Sequence, residues 1–209
     1  MTNPKTFIEF LEPFEKELSK KIKKKGLTIT VSGISGAGKT DGARALAKAF
    51  KLRYVASGQI LRQIAKKRKI RLEELAATRE REIDYEIDRT NLEFAMKGKV
   101  VIDARLSGWC AGDWADVKIF YECPLDVRAE RVAKRDNITV KEAKEALARR
   151  DREDHEKYKK LYGVDSYDKS IYDIIINNEK LTKEEAKVVP IRLVKEFLKK
   201  KKLIINTQD

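Results

Sequence analysis

The sequence predicts an α/β protein: a five-stranded parallel sheet with helices on both faces, a three-layer α/β/α arrangement. Three observations predict it. Short β-branched runs alternate with amphipathic segments along the chain. A glycine-rich loop, Gly33-Ile34-Ser35-Gly36-Ala37-Gly38-Lys39-Thr40, stands between the first such run and the helical pattern that follows it. A chain of 209 residues, 42% hydrophobic, is long enough for one core without disulfide or metal staples.

The elements follow in order. Residues 1–26 form an N-terminal extension. Phe7, Leu11, Phe14, Leu18 and Ile22 make one helical stripe. Thr6 and Glu9 have capping-box spacing, Pro13 marks a kink or a late start, and Gly26 after the lysine run reads as the stop. Leu27–Val31 is a buried strand, and Gly42–Phe50 a helix presenting Ala43, Leu46, Ala47 and Phe50 on one face. Leu52–Ala56 is a second strand, and Ser57 opens a helix through Arg68. Leu72–Lys97 reads as one long charged helix closed by Gly98. Val100–Asp103 and Val117–Tyr121 are strands three and four. Pro124 opens a helix through Arg135, because proline is tolerated in a first turn. Thr139 and Glu142 cap a further helix that carries Arg149-Arg150-Asp151-Arg152-Glu153-Asp154. Tyr172–Ile176 is the fifth strand, and Thr182 and Glu185 cap a last helix running towards Lys199.

Composition removes several classes of function. No apolar stretch approaches the length of a membrane span, and no uninterrupted apolar run follows the N-terminus as in a secretory signal. Cys110 and Cys123 lack the spacing and the partners of a zinc site and read as buried thiols of a reducing, cytoplasmic compartment. The single His155 supports no Ser-His or Cys-His system. There are 47 Lys and Arg against 34 Asp and Glu, a net charge of +13, which favours anionic ligands. The lysine runs at 20–25 and 199–202 leave open a contact with RNA or ribosomes.

The chemistry begins at the glycine-rich loop, which matches G-x-x-x-x-G-K-[ST] in full: a P-loop. Glycines let successive N–H groups curl inward around an anion, and the following helix adds its positive end. Residues 33–40 are therefore the candidate ATP site. Lys39 reaches the β- and γ-phosphates, and the Thr40 hydroxyl suits Mg²⁺. Asp103 ends an apolar strand, where it serves either as a water-mediated Mg²⁺ holder or as a turn residue. Joining two phosphorylated molecules needs several cations, and arginine presents a planar fork of donors to phosphate. Arg62, Arg105 and the group Arg149, Arg150 and Arg152 are the candidates. Arg149 and Arg152 share a helix face, so Arg150 is expected to matter less.

Beyond the P-loop, the chain resembles the archaeal type of cytidylate kinase, a nucleoside monophosphate kinase, over about residues 27–200. The resemblance rests on Val55-Ala56-Ser57-Gly58-Gln59-Ile60-Leu61-Arg62, on Glu82 through Asp88, and on Val101 through Trp109. It continues in Val117 through Phe120, Arg128-Ala129-Glu130-Arg131 and Tyr158 through Asp165. It implies transfer of the ATP γ-phosphoryl group to CMP or dCMP, with Mg²⁺. By position, Ser57, Arg62, Asp103 and Arg105 belong to the monophosphate site, with residues 57–98 as its helices. Arg149 and Arg152 belong to a short lid at about 138–166 and join Lys39 in catalysis. The sequence departs from the pattern at Lys39, which strengthens ATP binding, and at Gln59, His155 and Lys157 near the acceptor site and lid, so the acceptor base is the open point. The rival readings are a P-loop kinase for AMP or UMP, and a P-loop ATPase or RNA-binding protein.

Overall fold

The computed structural model describes residues 4–71, 74, 75 and 81–206. Its strands are β1 (Thr28–Gly33), β2 (Arg53–Ala56), β3 (Val100–Asp103), β4 (Val117–Glu122) and β5 (Ile174–Asn177). All pair in parallel in the order β2-β3-β1-β4-β5. Register places Val31 beside Asp103, and Asp103 beside Ala56, so the ends of β1, β2 and β3 meet at one edge. The helices are α1 (Glu12–Ser19), α2 (Lys39–Ala49), α3 (Ser57–Arg68), α4 (Arg81–Lys97), α5 (Ser107–Ala111), α6 (Leu125–Asp136), α7 (Val140–Tyr162) and α8 (Glu185–Asn206). Of the long helix expected over 72–97, residues 72, 73 and 76–80 lie outside the described residues, residues 74 and 75 are helical, and α4 accounts for 81–97.

Strand alternation sorts the core into two layers. Ile29 and Val31 of β1 face α2 and α8, packing with Leu46, Ala47 and Val194. Thr28 and Ser32 point the other way. The Thr28 hydroxyl donates to the Ala95 carbonyl at 3.1 Å, and Ser32 Oγ lies 2.9 Å from Ser107 Oγ. These pairings explain how a central strand, buried at every position, carries Thr28 and Ser32; the hydroxyl of the equally buried Thr30 has no such partner. On that second face, Val100 and Ile102 pack with Ile60 and Ile64 of α3 and with Ile83 and Ala95 of α4.

The N-terminal stripe packs as expected, but its local structure differs. A 3-10 turn at Glu9–Leu11 precedes α1, Pro13 sits in the first turn, and the helix ends at Ser19 rather than at Gly26. The Thr6–Glu9 capping box does not form. Instead the Thr6 N–H donates to Glu15 at 3.1 Å and the Thr6 hydroxyl accepts from the Ile8 N–H. Leu11 is fully buried, so the tertiary contact outweighs the local cap. The short helix α5 has no forerunner in the sequence reading. Its five residues are too few for a helical period to register.

The two lysine runs meet, although about 180 residues separate them. Lys24 pairs with Asp116 at 2.8 Å, and Lys201 donates to the Asp116 carbonyl at 3.1 Å. Among the described residues, no helix is long and apolar enough to cross a membrane.

Candidate active site

The P-loop runs from the end of β1 into α2, and its backbone dictates its glycines. Gly33 has φ +135°, and an added Cβ would strike the Tyr121 carbonyl. Gly38, at φ +82°, is the N-cap of α2, and a Cβ there would meet the Asn178 amide. That amide donates to the Ala37 carbonyl at 2.8 Å and pins the loop from the end of β5.

Lys39 opens α2 and turns its ammonium back to the Ile34 carbonyl at 2.8 Å. Burial pushes this ammonium down to about 8; Asp103 and Asp151 oppose the shift, while Arg105 and Arg150 add to it. A polyphosphate at the loop would supply negative charge that favours the ammonium form. Thr40 follows, and its hydroxyl donates to Asp103 Oδ2 at 2.9 Å. The Tyr54 hydroxyl donates to the same oxygen at 2.9 Å. A hydroxyl and a buried carboxylate beside a phosphate cradle are hard oxygen donors, so these residues fit Mg²⁺. Burial first, then the neighbouring Asp103, pushes the Tyr54 phenol up to about 12, so it stays a donor.

The rest of the site lies between α7 and the sheet edge. Arg105 is ion-paired with Asp154 of α7. Arg128 of α6, almost fully buried, donates to the Cys123 carbonyl at 3.0 Å, the Ser35 carbonyl at 2.8 Å and Asp151 of α7 at 2.8 Å. Arg128 thus ties P-loop, α6 and α7 at one point. A small void of about 20 Å³ separates Gly33 and Ile34 from Arg105, Asp151 and Asp154.

Behind α7 lies a far larger cleft, about 830 Å³, within the usual size of a small-molecule site. Leu61 of α3 and Ile83, Asp84 and Ile87 of α4 form one wall; Arg149, Arg150 and Lys157 of α7 stand on the other. Lys157 bridges the walls to Asp84 at 3.0 Å. The buried Asp88 accepts from Tyr162 at 2.7 Å, and burial pushes its carboxyl up to about 6, that hydrogen bond opposing the shift.

The structure therefore brings together Lys39, Thr40, Asp103 and Arg105 around the P-loop. Ser57 opens α3, 3.5 Å from the buried Asn91 amide. Arg62 is exposed on α3, and neither the void nor the large cleft includes it. Arg149 and Arg150 both line the cleft, although α7 was expected to turn Arg150 away, whereas Arg152 lines neither space. Sequence reasoning passed over Arg128 and Asn178 as site residues. A charged residue flanked by the small, inward-facing Ala129, and an asparagine just past a strand's carboxyl end, were the signals available.

Comparison with known proteins now bears on this geometry. The sequence model of the cytidylate kinase-like family matches residues 28–180, spanning the P-loop, the cleft and α7. The chain belongs to that family. It is 40% identical over 176 residues to a cytidylate kinase of Staphylothermus marinus, covering 83% of this chain and 97% of the relative. It is 46% identical over 160 residues to a cytidylate kinase of Pyrococcus horikoshii, covering 76% of this chain and 83% of the relative. Among solved structures, a shikimate kinase from Bacteroides thetaiotaomicron superposes with TM-score 0.56 at 18% identity, covering 83% of this chain and 98% of that one. A gluconokinase from Sinorhizobium meliloti gives TM-score 0.53 at 14% identity, covering 86% and 99%. These likenesses establish the fold of a family member; the site must be argued from its own residues.

Proposed function

We propose that this protein transfers the γ-phosphoryl group of ATP to CMP or dCMP, giving ADP and CDP or dCDP. The observation that carries the reading is the cleft of about 830 Å³ between α3, α4 and α7, lined by Arg81, Arg149, Arg150, Lys157 and Lys160 as well as by carboxylates, and reaching the complete P-loop's side of α7 at Asp154. One nucleotide fits the loop and a second fits the cleft. The cytidylate kinase relatives supply the acceptor's class.

In this reading the loop N–H groups and Lys39 hold the ATP phosphates. Thr40 and Asp103 would hold Mg²⁺, Asp103 through water, and the ion would supply charge neutralisation when bound. Ser57, Arg62 and Arg105 stand outside the lining of the large cleft and are assigned to the acceptor's phosphate, on the side where Asp154 borders both the cleft and the P-loop void; Asp103 serves that site through the metal. Arg105 must exchange Asp154 for that phosphate, and the exchange loosens α7 from the sheet edge. Residues 138–166 then act as the lid. Arg149 and Arg150 face the cleft at rest, and Arg152 stands beside them on the same helix. The acceptor is already anionic at its attacking oxygen, so no general base is needed. Positioning and charge stabilisation carry the reaction.

A coupled ADP-release assay across CMP, dCMP, UMP and AMP tests the reading. CMP or dCMP should give the highest kcat/KM. Preference for AMP, or ATP hydrolysis indifferent to every acceptor, would overturn it.

A further inference from the structure

The matched span of the family begins at residue 28, so the segment before it lies outside the family's pattern. Yet that segment is fixed tightly to the domain. The Phe7 N–H donates to the Trp109 carbonyl at 3.1 Å, and the Asp113 N–H donates to the Lys5 carbonyl at 2.7 Å. Ile8 and Leu11 are buried in a cluster with Leu92 and Met96 of α4, Cys110 of α5 and Tyr158 of α7. Between these two anchors stands Phe10. It is 37% exposed, unlike the buried Ile8 and Leu11, and it does not fill the core.

Phe10 packs against both helices that supply the cleft walls, at residues next to the cleft lining. Its ring stacks on Tyr85 of α4, centroids 4.0 Å apart, and lies 6.3 Å from Tyr162 in the last turn of α7. Tyr85 and Tyr162 are themselves 5.9 Å apart. Tyr85 adjoins Asp84, which lines the cleft, and Tyr162 donates to Asp88 on the same helix. Arg89 of α4 covers the outer side of Phe10, 5.3 Å from its centroid. An aromatic ring from outside the family domain is thus set where α7 meets α4.

We propose that Phe10 is a positioning residue for the acceptor nucleotide: it sets the angle of α7 on α4 and so the width of the cleft. This rests on the reading of the cleft as the acceptor site. The lever is long. From Tyr162 back to Arg149 is about 20 Å of helix at the usual rise. A tilt of roughly 5° at the base would move the arginine by nearly 2 Å, and misplacement on that scale is costly in catalysis. The P-loop lies on other elements, and a tilt of α7 reaches it through the Arg128 side chain that joins Asp151 to Ser35, whereas the same tilt moves the cleft wall directly.

The test uses the full chain and four variants. Phe10→Ala removes the ring, and Phe10→Tyr keeps it. Tyr85→Leu removes its partner from the other side. Phe7→Ala weakens the segment at Trp109, away from the cleft walls. KM for CMP and for ATP, kcat and Tm are measured for each. We expect Phe10→Ala to raise KM for CMP roughly five- to tenfold, the scale of one aromatic pair, with KM for ATP within about twofold. Tyr85→Leu should reproduce that split, Phe10→Tyr should restore wild-type values, and Phe7→Ala should lower Tm without the split. Equal changes in both KM values, no change, or the same split in Phe7→Ala would overturn the proposal. Failure of the wild-type chain to phosphorylate CMP or dCMP would instead defeat the reading of the cleft, before any variant is compared.

Discussion

Replacing Arg128 with methionine should be among the most damaging single changes in this protein. Its side chain is 6% exposed and its partner Asp151 12%, so the pair sits largely out of water. Methionine keeps much of the length and none of the charge. Three donations are lost at once: to Asp151 and to the carbonyls of Ser35 and Cys123. Removing one partner of a buried pair costs about 3–5 kcal/mol, because the other charge is left without compensation. At this chain length each kcal/mol moves Tm by about 2–4 °C. A fall of about 6–20 °C is expected in a calorimetric or circular-dichroism melt. Adding Asp151→Leu removes the stranded charge but leaves two carbonyls without their donor, each worth about 1 kcal/mol. The double variant should therefore recover part of the loss, to a deficit of about 2–3 kcal/mol. Because Arg128 also holds Ser35, KM for ATP should rise in the single variant even below its Tm. A single variant melting within about 2 °C of wild type, or a double variant no better than the single one, would refute the argument that a buried charge is at stake.

Other expectations follow from the same site. Lys39→Met should lower kcat by at least about a hundredfold, the scale of a preorganised charge stabiliser, measured at saturating ATP and CMP. The same change should stabilise the protein near neutral pH when it is assayed without nucleotide. Lys39 titrates near 8 when folded and near 10.4 in an unfolded chain, so the unfolded state binds more protons between those values. Wild-type stability should therefore gain on the variant as pH rises through that window, by about 1–2 kcal/mol after allowing for solvent screening; parallel Tm profiles of the two proteins from pH 7 to 10 would contradict it. Arg105→Ala and Arg62→Ala should raise KM for CMP more than KM for ATP, with Arg105 the larger because it adjoins the P-loop; initial-rate kinetics in both substrates decide this. Among the α7 arginines, Arg149→Ala and Arg150→Ala should each cut kcat by about a hundredfold and Arg152→Ala by less. A largest loss at Arg152 would restore the order that helical spacing alone suggests.

Much of the fold was legible because its signals are local. The β-branched runs, the P-loop glycines and the Thr139–Glu142 and Thr182–Glu185 caps all appear where the sequence places them. The Thr6–Glu9 box has the same spacing and fails, because Glu15 and the buried Leu11 impose a different geometry from outside the motif. The site divides in the same way. Lys39 and Thr40 belong to a contiguous motif, and Asp103 ends a recognisable strand. Arg128, Asp151 and Asp154 owe their roles to contacts between α6, α7 and the sheet edge, which no spacing records. Arg150 faces the cleft because of how the whole helix is seated, which the i, i+3 rule for Arg149 and Arg152 does not contain.

The pairing of Arg105 with Asp154 makes the protein its own competitor for anions. The carboxylate is tethered, so it confronts the guanidinium at an effective concentration in the millimolar range or above. A lone phosphate or sulfate ion brings only its charge to that contest and should lose it at cellular concentrations. On the proposed reading a nucleoside monophosphate would bring a base and a sugar as well, and their contacts along the cleft would tip the exchange. Selection against small ions thus needs no steric filter at the mouth of the cleft, because the resting ion pair sets the threshold. Every occupancy that passes it also releases one tie holding α7 to the sheet edge.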